Sequence, residues 1–309
     1  MQKKQAAASA IIDREKLNVD MYALNQRVND VFFGILLLDA QLTQNDLLQE
    51  QLDRNYRQIT AYMNNGVANQ SDLDAVKVEQ LNTRQKRIEL ASSRSAYLGM
   101  LSLLTGESFP PETVLAKPEA KQTFDSPTEV LRPELTWFDA QSEALKVQEK
   151  ALNVRHLPQL GLFVQGAYGN PGLNMLKNEF SPFYVAGVRL AWNFGSLYTL
   201  KNDKKLIDNK QKVLDSNRDV FLFNTHLAMT QQDQSIRSLE KQMRDDDEII
   251  RLRNSIRLAA EAKVANGTLT VTEMLREVTS ESMARQTKAL HEIQRLMGIY
   301  QLEYTTNNK

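Results

Sequence analysis

The chain has 309 residues, Lys plus Arg and Asp plus Glu each total 38, and 42% of the residues are hydrophobic. Zero net charge leaves no overall field to hold nucleic acid, which is excluded as an expected partner, and the absence of cysteine removes disulfides, thiolate metal sites and cysteine nucleophiles together. The longest strongly apolar run, Val31–Leu38, is far short of the roughly 20 residues that a membrane-crossing helix needs, so any contact with a bilayer core must be made by strands.

The first segment, 1–104, reads as a helical hairpin with its tip at 64–71. All eight prolines of the chain lie between Pro110 and Pro182, so neither this block nor the last one contains the residue that helices tolerate least. The N-terminal lysines and alanines lack the apolar middle of roughly 7–15 residues that marks a signal peptide, and they read as helix. Leu24, Val28, Val31, Ile35, Leu38 and Leu42 are spaced 4,3,4,3,4, and the pattern resumes at Leu52, Tyr56, Ile59 and Met63 after polar Asn45 and Gln49. That is the seam of a coiled coil. The helix entering the tip should span roughly 85 Å, the returning one roughly 50 Å, and the short helix expected over 133–157 about 37 Å, so two short helices match one long one. Between them 105–132, with Gly106 and four prolines, reads as an equatorial collar.

The next segment, 158–195, reads as a β-hairpin. From Gln159 to Gly169, Leu160, Leu162, Val164 and Tyr168 fall on one side, and Gln159, Gly161, Gln165 and Ala167 on the other. A second strand is expected from Phe183 to Phe194, with Tyr184, Ala186, Val188, Leu190, Trp192 and Phe194 facing one way and Gly187, Arg189 and Asn193 the other. Both strands have about the 9–11 residues of a tilted transmembrane strand. An alternating pair also suits a hairpin packed on a protein core, but helices this long offer no compact core to cover.

The last segment, 196–309, reads as a second helical hairpin with its tip at 265–272. Its seams are Ile249, Leu252, Ile256 and Ala259 before the tip and Ala289, Ile293, Leu296 and Tyr300 after it. It repeats the first: Asn65-Gly66 with Ser71-Asp72-Leu73 recurs 201 residues later as Asn266-Gly267 with Thr272-Glu273-Met274. In each copy glycine supplies a left-handed cap, and Ser71 or Thr272 is the expected N-cap of the returning helix. Asp245 to Glu248 could hold a cation, but successive helix positions diverge, which favours a solvated face. His156, His226 and His291 share no ligand spacing. No phosphate loop or nucleophile elbow is present in the sequence, so neither catalysis, nor a cofactor, nor a metal is expected.

The two tips (Asn65-Gly66-Val67 through Leu73, and Asn266-Gly267-Thr268 through Leu275), the run Arg132-Pro133-Glu134-Leu135 through Leu157-Pro158-Gln159-Leu160, and Val185-Ala186-Gly187-Val188-Arg189-Leu190-Ala191-Trp192 together resemble the TolC family of outer-membrane efflux and secretion channels. The resemblance implies a mainly α fold with a β-hairpin. Long antiparallel helical hairpins would form a tunnel through the periplasm, and strands from a homotrimer would close one shared transmembrane β-barrel in the lipid bilayer. It further implies docking on a periplasmic adaptor (membrane fusion protein) and an inner-membrane transporter. The first repeat begins at its long descending helix, without the preceding short helix and strand pair. An N-terminally truncated chain that supplies half of its expected share of the barrel is the reading this gives.

The resemblance also implies site residues. Six residues after each tip glycine stand Asp72 and Glu273, matching acids that line a constriction, with Arg276 one turn on where relatives carry a second acid. Three copies of Glu273 about an axis would focus a cation-selective field; a carboxylate in a first helical turn is equally an ordinary partner of the helix N-terminus. Gly66, Val67, Gly267, Thr268 and Leu269 are the implied contacts with the adaptor, although any helical hairpin needs such a cap. Tyr184, Val188, Leu190, Trp192 and Phe194 would face lipid, and Arg189 and Asn193 the lumen, Arg189 serving otherwise as an edge-strand charge against aggregation. The rival architecture is a soluble periplasmic coiled-coil interaction or adaptor module whose strand pair packs on protein.

Overall fold

A computed structural model describes residues 1–119, 129–155, 157–176, 178–192 and 195–308. Its elements follow the punctuation of the sequence. The proline-free N-terminal block forms α1 (Gln2–Asn64), an unbroken helix of 63 residues, and α2 (Gln70–Thr105). Gly106 stops α2 in the left-handed region at φ 75°, and its N–H donates to Ser102 O at 2.9 Å. Pro133, whose missing N–H costs nothing in a first turn, opens α3 (Pro133–Arg155). An antiparallel ribbon follows, β1 (Gln159–Gly169) and β2 (Ser181–Ala191), then α4 (Gly195–Ala265) and α5 (Val271–Thr306). The expected second strand is shifted: it starts at Ser181, because Pro182 and Ser181 complete the pairing with Tyr168 and Gly169, and it ends at Ala191.

The chain divides into two compact units, one of Met1–Val19 with Pro133–Phe221 and one of Asp20–Arg132 with Leu222–Lys309. In the second unit α1 buries two stripes. Val31 and Ile35 of the expected seam meet Leu98 and Leu101 of α2, while Phe33 and Leu36, outside that seam, meet Ile293 and Leu296 of α5. Each buried aliphatic side chain contributes about 1.5–3 kcal/mol. Gly34 lies between the stripes, and a Cβ there would collide with the Tyr97 ring, so the ring of α2 approaches over bare backbone. Toward the tips the four helices share one cluster: Leu52 and Ile59 of α1, Leu73 and Val76 of α2, Ala260 and Val264 of α4, and Met274, Leu275 and Val278 of α5. Where Asn45 and Gln49 interrupt the seam, polar pairs tie α1 to α2. Asn45 Nδ2 donates to Thr83 O at 3.2 Å, and Gln80 Nε2 to Asp53 Oδ1 at 2.7 Å.

Among the described residues none covers the expected seam of α4. Ile249, Leu252 and Ile256 stay 46–47% exposed. Between Ile236, which packs on Ile299 and Leu302, and Ala260 near the tip, the face that α4 turns to α5 is polar: Glu240 pairs with Arg295, Asp246 with His291 at 2.8 Å, Asp247 with Lys288 and Arg253 with Glu277. Apolar periodicity therefore pointed away from the partner helix. The acidic run is likewise not one solvated face, since Asp246 is buried against His291 while Glu248 turns outward to Arg251.

After α2 the chain runs as irregular structure anchored by Arg94. Its guanidinium pairs with Asp39 and donates to the carbonyls of Pro111 and Thr113, the latter at 2.6 Å. Loop carbonyls gathered on one cation hold the segment to the α1–α2 pair. Arg94→Ala is expected to release it, read as faster proteolytic cleavage within 106–119 and a loss of about 1.5–3 kcal/mol of stability.

In the first unit α3 lies along α4. Phe138 and Phe221 meet at 6.0 Å between ring centroids, Arg218 Nη1 donates to Asp139 at 2.7 Å, and Ile207 and Leu214 are buried. The α1 portion contributes Lys16, whose ammonium stands 5.3 Å over the Trp137 ring.

Candidate functional site

The ribbon has an unusual surface. Its register sets Leu160 opposite Leu190, Leu162 opposite Val188, Val164 opposite Ala186 and Gly166 opposite Tyr184. All of these point to one side because successive residues alternate. Leu160, Leu162, Val164, Tyr184, Val188 and Leu190 are 63–83% exposed, and among the described residues of the unit none covers that face. Soluble monomers rarely leave so continuous an uncharged apolar surface in water. The opposite side is mixed: Arg189, across from Gly161, holds its guanidinium 5.6 Å from the Phe163 ring, which lies over Gly187 where a Cβ would stand 2.9 Å away. The alternation left Phe163 unassigned; the signal was Gly187, the one position where β2 makes room for a ring. Trp192 follows the end of β2, and Asn193 and Phe194 lie outside the described residues, as does His156.

The two tips have matching geometry. Gly66 and Gly267 take φ 74° and 66°. The N–H of Val67 donates to Tyr62 O at 2.9 Å, and that of Thr268 to Lys263 O at 2.9 Å. The expected N-caps are corrected here. Asn69 and Thr270, rather than Ser71 and Thr272, cap α2 and α5, and each closes a reciprocal pair with the acid three residues on. Asp72 N donates to Asn69 Oδ1 at 3.1 Å while Asn69 N donates to Asp72 Oδ2 at 3.0 Å. Thr270 N donates to Glu273 Oε2 at 3.1 Å, and the Thr270 hydroxyl donates to the same oxygen at 2.8 Å. Hydrogen bonds from the Thr270 side chain and backbone hold the Glu273 carboxyl below its ordinary value. Asp72 and Glu273 thus each bend back onto their own helix. Arg276 is exposed one turn further on α5, as are Gly66, Val67, Gly267 and Thr268, with Leu269 half-buried against the shared cluster.

Above the tips a cavity of about 260 Å³ is lined by Gln51, Arg257, Glu281 and Arg285 among others. Glu281, its side chain 7% exposed, accepts from Arg257 Nε and from Arg285 Nε at 2.9 Å. Arg257 also donates to Glu261 at 2.7 Å, and Gln51 of α1 donates to the same Glu261 oxygen at 3.0 Å. The network joins α1, α4 and α5. No sequence motif announced it, because its members are ordinary helix-surface residues until three helices converge.

No family model and no curated protein matches the chain. Solved structures do. The outer-membrane channel OprN matches with a TM-score of 0.74 and 13% identity, over 99% of this chain and 70% of its own. The outer membrane protein VceC from Vibrio cholerae gives 0.75 and 12%, over 98% and 73%. The CmeC outer membrane channel of Campylobacter jejuni gives 0.70 and 12%, over 98% and 66%. The chain therefore has the fold of outer-membrane channels. This is the mainly helical architecture with one antiparallel strand pair that the resemblance to the TolC family implies.

Proposed function

We propose that the chain is a subunit of a passive outer-membrane channel for efflux or secretion. It assembles as a homotrimer and docks with a periplasmic adaptor and an inner-membrane transporter that supplies the free energy. The observation that carries this reading is the uncovered apolar face of the ribbon, which suits lipid and gives an open β-edge to neighbouring strands. The exposed stripe Ile249, Leu252 and Ile256 on α4 suits a second copy of the chain. Gly66, Val67, Gly267, Thr268 and Leu269, held rigidly by matching caps, are the proposed adaptor contacts.

Fractionation of the native gene product with chemical crosslinking tests the reading. An outer-membrane trimer is the expected result; a soluble monomer or dimer would overturn it in favour of a soluble coiled-coil adaptor module. Asp72, Glu273 and Arg276 are the proposed constriction, and conductance separates gating from capping. Glutamine at the third helical position still reciprocates a cap, so Glu273→Gln should leave stability nearly unchanged. Cation selectivity should fall if the carboxylates of three subunits ring the lumen, and unchanged selectivity assigns Glu273 to the cap alone.

A further inference from the structure

The first unit carries a one-sided charge excess beside the ribbon. Between Gly195 and Lys212 the sequence places Lys201, Lys204, Lys205, Lys210 and Lys212 against Asp203 and Asp208, a local excess of three positive charges in a chain whose formal net charge is zero. At the other end of the ribbon, 170–180 holds one lysine and one glutamate and no excess. Lys201, Lys204 and Lys205 follow i, i+3, i+4 spacing, so they share one face of α4.

The acids beside them are engaged. Asp203 accepts from the Thr199 hydroxyl at 3.0 Å, and Asp208 pairs with Lys212 at 2.7 Å. Lys201, Lys204 and Lys205 form no ion pair among the described residues. Lys204 and Lys205 line an open cleft of about 550 Å³ whose apolar wall is Leu145 and Ile207; across it Lys146 of α3 pairs with Glu143 at 2.6 Å, and Glu149 and Asp208 also border it.

Helix direction adds a second argument. Side chains on a helix lean toward its N-terminus, and the N-terminus of α4 follows directly on β2, so these lysines lean toward the ribbon. At 1.5 Å per residue Lys201 lies about 9 Å, and Lys204 about 14 Å, along α4 from Gly195. A snorkelling ammonium recovers several ångströms of that distance. Both then fall within a Debye length, about 8–10 Å, of a bilayer surface drawn at the end of the ribbon. Tyr198, 90% exposed one turn before Lys201, has the amphipathic character of an interfacial residue.

We propose that Lys201, Lys204 and Lys205 seat the anionic phospholipid headgroups of the leaflet bordering the helical part of the molecule. The proposal rests on the ribbon being the membrane-embedded part. The seat fixes the depth at which the ribbon sits and makes insertion depend on lipid charge.

The test is flotation of the full chain with vesicles of phosphatidylcholine alone or with added phosphatidylglycerol. The wild-type partition coefficient is expected to rise at least about tenfold with phosphatidylglycerol, each lysine near an anionic surface being worth about fivefold. Molar salt should abolish the gain. The triple variant Lys201→Gln, Lys204→Gln, Lys205→Gln, which keeps good helix formers on an exposed face, should lose the gain, and the corresponding triple arginine variant should keep it. An equal phosphatidylglycerol gain in wild type and glutamine variant overturns the seat, as does a wild type that enters neutral vesicles and gains nothing from phosphatidylglycerol. In both cases binding to neutral lipid leaves the channel reading standing. A wild type that floats with no vesicle overturns both.

Discussion

Val164→Arg is expected to block insertion into vesicles, while Gln165→Arg, one residue on, should insert nearly as the wild type does. Val164 is the central residue of β1, opposite Ala186, and shares its face with Leu162 and Val188. An arginine at mid-bilayer on a lipid-facing strand position costs about 2–4 kcal/mol per subunit, and three subunits of a proposed trimer would each bear it. Gln165 sits on the other side, with Val185 opposite, the side where Arg189 already places a guanidinium against Phe163. A second arginine there meets the lumen of the proposed barrel rather than hydrocarbon. Both variants introduce the same arginine one strand position apart; loss of the β-branched Val164 adds at most about 1 kcal/mol of strand propensity, less than the lipid cost. Folding into vesicles followed by urea titration reads the difference. Equal behaviour of the two variants would mean that neither face meets lipid; the reverse order would mean that the faces are exchanged.

Most of the fold was legible because its signals are local. Proline distribution separated the helical blocks from the middle of the chain, and strict alternation placed β1 at Gln159–Gly169. The 201-residue repeat located both tips, where Gly66 and Gly267 do adopt the left-handed backbone. What failed depended on partners. The N-cap was placed two residues late because Ser71 and Thr272 and also Asn69 and Thr270 are capping types; only the reciprocal bonds with Asp72 and Glu273 decide between them. The α4 seam was assigned to its apolar stripe, yet α5 packs on the stripe carrying Asp246, Arg253 and Arg257. Phe33 and Leu36 were missed because a helix of 63 residues that touches both α2 and α5 has two core faces, and a single heptad count records one.

The exposed apolar face of the ribbon, proposed to meet lipid, was legible for the same reason as β1. The proposed constriction and docking residues depend on copies of the chain and on partners that a single sequence does not contain. Their local state is nonetheless informative: Asp72 and Glu273 are each satisfied within their own first turn. A gating role must therefore use carboxylates that already serve as caps, which is why the conductance and the stability of Glu273→Gln have to be read together.

The second large effect is expected at Glu281. Glu281→Leu leaves Arg257, whose side chain is 14% exposed, with one of its two carboxylate partners, and should cost about 3 kcal/mol. For a unit of roughly this size that lowers the thermal midpoint by about 6–12 °C. Arg285, on the cavity rim, can turn to water and contributes less to the loss. Adding Arg257→Met to Glu281→Leu should recover much of the stability, because an apolar pair replaces an unpaired buried charge; failure of that rescue would mean that Arg257 is held mainly by Glu261 and Asn254. The acid dependence has a definite sign. Burial pushes the Glu281 carboxyl up, but hydrogen bonds from Arg285 and Arg257 outweigh it and hold the folded-state value below the ordinary 4.5. A depressed carboxyl pKa contributes stability that is fully present above the ordinary value and is lost as pH falls through the depressed one. Thermal midpoints should therefore fall more steeply below pH 4.5 in the wild type than in Glu281→Gln. Since Glu281 binds α5 to α4, acid should loosen those two helices near the tips before it melts the apolar cluster of Val31, Ile35, Leu98 and Leu101.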